Sequence, residues 1–341
     1  MSEPTAAPLE PEALRRPLVE LLPPPGASPA NDPREVKPRY LFALSLFLLS
    51  LFSATTLGAV YVLLTRTDVT TGLDLLLTPA AIRAVWGDPA LLAQGFLFSA
   101  SALGILLVHE LGHYLTCRRY RLPVTLPYFL PSPVALGTFG AFIRIRRQLS
   151  SKRELFDVGV AGPIAGFVAL VPALLYGVAR SRIVPLTAVA RAEPVVLIVP
   201  GHPLAFELAV RAFHGPVPSG SILEPHPLAL AAWLGLFATS LNLLPLGQLD
   251  GGHLLYAVFG RRQRQLARPL WVILAALTFV WPGWGLWSLI TLAIGLRHPP
   301  VIDEAQPLDA RRRALAIFAL VILILSFTPL PMREIVIPAL R

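Results

Sequence analysis

The chain has 341 residues, 55% of them hydrophobic and only 14% charged, at a mean hydropathy of +0.64. So few polar groups cannot cover a water-soluble globule, and a membrane-embedded bundle is the class that remains. The single cysteine, Cys117, excludes an intrachain disulfide and any zinc site built from cysteines. The net charge of +9 comes from 27 Arg and 2 Lys set beside apolar blocks, which reads as membrane topology and not as a nucleic-acid partner.

Residues 1–38 are rich in proline (Pro23, Pro24, Pro25, Pro29, Pro33, Pro38) and have no apolar secretory core. They are expected to form a disordered cytoplasmic tail ahead of one membrane-embedded domain at 39–341. The uncharged run 41–64 has 24 residues, about 36 Å as a helix, enough to cross a hydrocarbon core of about 30 Å. Residues 65–95 read as a polar loop with one short interfacial helix, and 96–117 as a second span. The segment 126–143 is apolar but broken by Pro127, Pro131, Pro133, Gly137 and Gly140, and the strand-like FIRIR follows at 142–146. A spanning helix is excluded there, and a re-entrant loop or β-hairpin is expected, because irregular backbone at membrane depth must be covered by protein or line a wet cavity.

Residues 157–179 form a span rich in small residues, with Gly162 and Gly166 as its close-packing seam. Residues 180–227 read as a loop too short to hold an inserted domain of about 100 residues. The next span covers 228–246, and the segment 247–259 follows it. The stretch 270–296 is split by WPGWG (Trp281–Gly285) and reads either as one kinked span or as two helices turning at Pro282 and Gly283. A final apolar run covers 314–331. The fold expected is an all-α polytopic membrane protein of about six transmembrane helices, with the re-entrant loop or hairpin beside its active site.

The strongest local signal is His109-Glu110-Leu111-Gly112-His113. At helical spacing the two imidazoles lie about 40° apart around the axis, and Glu110 about 60° from His113 on the same side. Two imidazoles and one carboxylate then converge, as zinc ligands and a general base for the attacking water require. With this chain's own His and Glu content the pattern arises by chance about 0.005 times per chain. An acidic residue at mid-helix costs about 2.5–3.5 kcal/mol, so three ionisable groups within five residues of a span need a strong partner, and a divalent cation is one. Asp250 is the single carboxylate between Glu224 and Asp303 and supplies the third ligand. Gly251 and Gly252 after it are read as clearing room for the metal-bearing helix.

An HExxH inside an early span, a GxAGPxxG span and the NxxPxxxxDGG segment at 242–252 together resemble the site-2 protease family of intramembrane zinc metalloproteases, over a core of about 96–260. The resemblance implies one Zn2+ per chain on His109, His113 and Asp250, with Glu110 as catalytic base. It implies hydrolysis of peptide bonds in or near the transmembrane segments of substrate proteins within a lipid bilayer, and a membrane-inserted hairpin at 138–146. Many relatives carry a PDZ domain between the core spans, for which 180–227 is too short. Asn242 is read as orienting substrate or the oxyanion, or else as a helix–helix hydrogen bond. His253 is read as supporting the ligands from behind, or else as packing. Cys117 is read as a small buried hydrophobe, and His202, His214, His226 and His298 as solvated.

Two other readings stay open at this point. A prenyl-protein-processing type of membrane peptidase would need a further Glu or His ligand in an apolar helix, yet Glu304 and Glu334 both lie outside the spans. A catalytically inactive or metal-transporting protein with a structural zinc site would lack Glu110 or a ligand, or show a path of further carboxylates. By the positive-inside rule, with the N-terminus cytoplasmic, 17 basic residues fall inside and 6 outside. A bacterial cytoplasmic membrane is the expected location, and the oligomeric state is open.

Overall fold

The computed structural model describes residues 39–66, 78–133, 137–189 and 195–337. The expected tail at 1–38 lies outside the described residues. Helix α1 (Tyr40–Arg66) is followed by the short α2 (Pro79–Trp86) and by α3 (Pro89–Arg119), 31 residues long. The second span therefore starts seven residues earlier than the apolar run suggests, because Asp88 caps α3 by accepting from Ala90 N and Leu91 N, and Pro89 occupies its first position. Strands β1 (Tyr128–Pro131) and β2 (Thr138–Phe142) pair antiparallel, with Tyr128 opposite Phe142 and Phe129 opposite Ala141. The hairpin expected at 126–143 thus forms, and a further bridge joins Val124 to Ile145.

Helix α4 (Lys152–Ala179) begins at a Ser151 cap, whose hydroxyl accepts from Glu154 N. Helices α1, α3 and α4 are long and apolar enough to cross a membrane. Helix α4 packs on α3, and α1 packs on the other side of α3, where Thr55 and Ser99 hydroxyls meet at 2.7 Å. The outward face of α1 carries exposed Leu41, Leu44, Leu48 and Phe52, as a lipid-facing surface does.

Residues 180–227 are not a plain loop. They contain β3 (Arg182–Pro185), α5 (Leu186–Val189), β4 (Val195–Pro200), α6 (Leu204–His214) and β5 (Ser221–Glu224). Strand β3 pairs with β5. Helix α6 buries Phe206, Ala209 and Val210 against the bundle and leaves Leu204, Leu208 and Phe213 exposed.

Helix α7 (Pro227–Leu243) leads through a tight turn to α8 (Asp250–Phe259), then to α9 (Gln263–Ala276), α10 (Gly283–Ile294) and α11 (Ala310–Ser326). The stretch 270–296 resolves into two helices that break near Pro282 and pack on each other. Helices α7 and α10 are apolar but shorter than a full span. The chain ends its described part in β6 (Met332–Ile337), which pairs antiparallel with β4 from Val195–Ile337 to Pro200–Met332. The chain is accordingly mostly helical rather than all-α, with three two-stranded sheets among the described residues.

Segment 297–309 lies against the start of α4. Asp303 N donates to Ser150 O, Gln148 to Pro300 O and Arg153 to Pro307 O. Arg312 grips Asp157 with Nε at 2.8 Å and Nη2 at 2.6 Å, and Tyr120 donates to the same carboxylate. The basic residues 297 and 311–313 therefore share a side with 118–157.

Candidate metal centre

The centre is built where α3, α4, α7 and α8 meet. Helical spacing puts His109 and His113 on one face of α3, and their Nε2 atoms lie 3.1 Å apart. Asp250, the first residue of α8, brings Oδ2 to 3.3 Å from His109 Nε2 and 3.2 Å from His113 Nε2. His109, Glu110 and His113 are 3, 6 and 6% exposed. His113 Nδ1 is 2.7 Å from Val158 O, an acceptor, so Nδ1 carries the proton and Nε2 presents a lone pair. A lone pair and a carboxylate 3.2 Å apart repel unless a cation or proton lies between them. For zinc bonded at 2.0–2.2 Å in a tetrahedron, ligand atoms sit roughly 3.3–3.6 Å apart. The three separations of 3.1–3.3 Å lie at or just under the short end of that range, and the donor set of two imidazoles and one carboxylate fits zinc.

Helix α4 comes this close because its contact positions have no side chain. A Cβ on Gly162 would stand 2.1 Å from His113 Nε2, and one on Gly166 would stand 3.0 Å from His109 Nδ1. The seam expected between Gly162 and Gly166 is the wall against which both imidazoles lie. On α3, Gly112 in turn lets Ala161 O approach, to 2.5 Å from where a Cβ would be.

Gly251 and Gly252 have a different role from the one expected of them. Cβ atoms there would meet Leu243 O at 2.0 Å and Gly247 O at 2.3 Å, so the pair fits α8 against the turn that precedes it, not against α3. That turn aims Asp250 inward. Glu110 faces the hairpin side of the site, where the backbone at Ile143, just past β2, comes near its carboxylate.

The other sequence candidates separate. Asn242 Nδ2 lies 3.3 Å from His109 Nε2, so Asn242 reaches the centre from α7 and also bridges α7 to α3. His253, one turn beyond Asp250, pairs through Nδ1 with His298 Nε2 at 2.7 Å, and His298 Nδ1 lies on Pro299 O. The carbonyl accepts, so His298 Nδ1 carries the proton and His253 Nδ1 donates to His298 Nε2. Cys117 is fully buried, as a small hydrophobe should be.

The histidines expected in solvent are placed otherwise. His298 is buried, and burial holds its pKa below the ordinary imidazole value. His202 lies 2.9 Å from Glu207, His214 bonds Val178 O, and His226 caps α7 by accepting from Leu228 N. The Val158 carbonyl is a backbone group and leaves no mark in a sequence. His298 sits in an Arg-His-Pro-Pro stretch that reads as a polar linker, and only the fold buries it.

The sequence profile of Peptidase family M50 matches residues 97–280. Probable zinc metalloprotease EGY1, chloroplastic, of Arabidopsis thaliana is 32% identical over 234 residues, covering 67% of this chain and 41% of that protein. The EGY1 protein of Oryza sativa subsp. japonica is 29% identical over 316 residues, covering 86% of this chain and 51% of that protein. Probable zinc metalloprotease EGY2, chloroplastic, of Arabidopsis thaliana is 28% identical over 244 residues, covering 70% and 42%. The chain thus spans about half or less of the length of these relatives. Their names place them in chloroplasts, which gives no support to a bacterial membrane. No solved structure matches the chain.

Proposed function

The chain belongs to Peptidase family M50, and on that premise we propose that it is a zinc metalloendopeptidase that cleaves peptide bonds in or near transmembrane segments of other membrane proteins. The observation that carries this reading is the meeting of His109, His113 and Asp250 at 3.1–3.3 Å, with the buried Glu110 next to His109. In this reading these three side chains hold one zinc, which supplies Lewis-acid polarisation of the scissile carbonyl and of water. Glu110 takes the proton of the attacking water and passes it to the leaving amine. The Val158 carbonyl holds His113 in the ligating tautomer. Asn242, at the rim of the centre, orients the substrate carbonyl.

A helical substrate hides its carbonyls in its own hydrogen bonds, so it must unwind locally, and Gly or Pro in the target lowers that cost. The segment 138–146, with β2 at its start, can then receive the unwound segment by β-addition on the side that Glu110 faces. The number of spans beyond α1, α3 and α4 belongs to the same proposal: α7 and α11 cross as further spans, and α9 with α10 enters and returns. That course keeps residues 118–125, 144–157, 261–268 and 297–313 on the cytoplasmic side with the N-terminal end of α1.

The test is cleavage of a single-span substrate by the purified full chain in vesicles, compared with Glu110→Gln. The variant keeps size and hydrogen bonding but has no base, so zinc should stay while turnover falls by roughly 10²–10⁴. Turnover equal to wild type would remove Glu110 from the mechanism.

A further inference from the structure

Helices α8 and α11 do not close on each other, and a groove of about 410 Å3 runs between them. Leu254, Val258 and Phe259 of α8 line it opposite Ile317, Leu320 and Leu323 of α11. Its inner end reaches Leu243 and Gly251, next in sequence to Asn242 and Asp250. Its outer end holds Arg313, the single charged side chain in the lining. Tyr256 OH donates to Glu304 Oε1 at 2.6 Å, which ties α8 to the segment that leads into α11 and fixes this end on the side of 118–157.

The groove has the length of one leaflet. From Arg313 to Leu323 is ten residues of helix, about 15 Å, half of a hydrocarbon core of about 30 Å. Arg313 is exposed and makes no ion pair among the described residues, whereas its neighbour Arg312 is held by Asp157 and Asp309. A free guanidinium at headgroup level above an apolar slot is complementary to a phosphate esterified to an acyl chain.

We propose that this groove binds an anionic phospholipid from the leaflet on the Arg313 side, with one acyl chain between α8 and α11 and its phosphate on Arg313. The tail then ends at Gly251 and closes the α8–α11 flank of the metal centre. The proposal rests on the membrane placement but not on the protease chemistry, and its readout is lipid labelling rather than cleavage.

The experiment places the full chain in phosphatidylcholine vesicles containing a minor fraction of phosphatidylglycerol with a photoreactive acyl chain, and maps the label by peptide mass spectrometry. Label should concentrate on α8 and α11, and Arg313→Gln should lower it about fivefold, which converts to about 1 kcal/mol. Leu320→Trp, which fills the slot from an exposed position, should abolish groove labelling with helicity and zinc content unchanged. Equal labelling by photoreactive phosphatidylcholine, insensitive to Arg313→Gln, would reduce the site to ordinary surrounding lipid and overturn the proposal. Preferential labelling of the groove by a photoreactive transmembrane peptide would overturn it in favour of a substrate path.

Discussion

Replacing Gly162 by alanine tests whether α4 shapes the metal centre. The new methyl carbon would stand 2.1, 2.4 and 2.6 Å from Nε2, Cδ2 and Cε1 of the His113 ring, where ordinary contact begins at 3.4 Å. The ring must retreat by about 1.3 Å, while metal–ligand distances tolerate about 0.2 Å. Retreat also strains the 2.7 Å bond from Nδ1 to Val158 O, which sets the tautomer. Losing a supporting contact alone costs about 10–100-fold in metal affinity, so displacing a ligand should cost at least about 100-fold. The assay is zinc retention against a competing chelator in detergent, with helicity measured alongside. Gly104→Ala is the matched control: it lies on α3 with nothing within 4 Å of the added carbon, and alanine favours the helix by about 1 kcal/mol. Gly162→Ala protein that is folded and holds zinc as tightly as wild type would refute the reasoning.

The other expectations are briefer. Ala141→Pro, at the position opposite Phe129, should impair cleavage of a membrane substrate with zinc content intact, because proline deletes an N–H and fixes φ; unchanged turnover would leave the hairpin a structural role only. In a Cys117→Ala background, cysteines at the exposed positions Arg264 and Arg311 should label from one side of the membrane and Thr187 from the other. Gln263 is unsuited to that probe, being fully buried between Leu296 O and His298 N. Labelling of positions 264 and 187 from the same side would overturn the topology.

What a sequence reveals about this chain follows the range of the interactions. The His109–His113 pair is a local matter of helical spacing, and the β1–β2 hairpin announces itself through the close spacing of Pro127, Pro131 and Pro133, although α4 keeps Pro163 and Pro172 within a helix. Asp250 could be read at a distance because no other carboxylate competes for its place between Glu224 and Asp303. The start of α3 at Pro89 is legible in the Asp88-Pro89 step, but Gln94 and Gly95 separate its apolar first turn from the long apolar run that follows. Strands β4 and β6 escaped notice for another reason: Val195 pairs with Ile337 across more than a hundred residues, and neither short apolar run names its partner. The same holds for His298, whose burial depends on α8 and Gln263.

The most direct test of the central claim is the zinc content of purified protein, measured per chain for wild type and for Asp250→Ala. Three ligand atoms at 3.1–3.3 Å from two distant segments should hold about one zinc, and truncating the only acidic member should leave the site largely empty in a chain of unchanged helicity. Full zinc occupancy in Asp250→Ala would contradict the account, since the third ligand would then lie elsewhere.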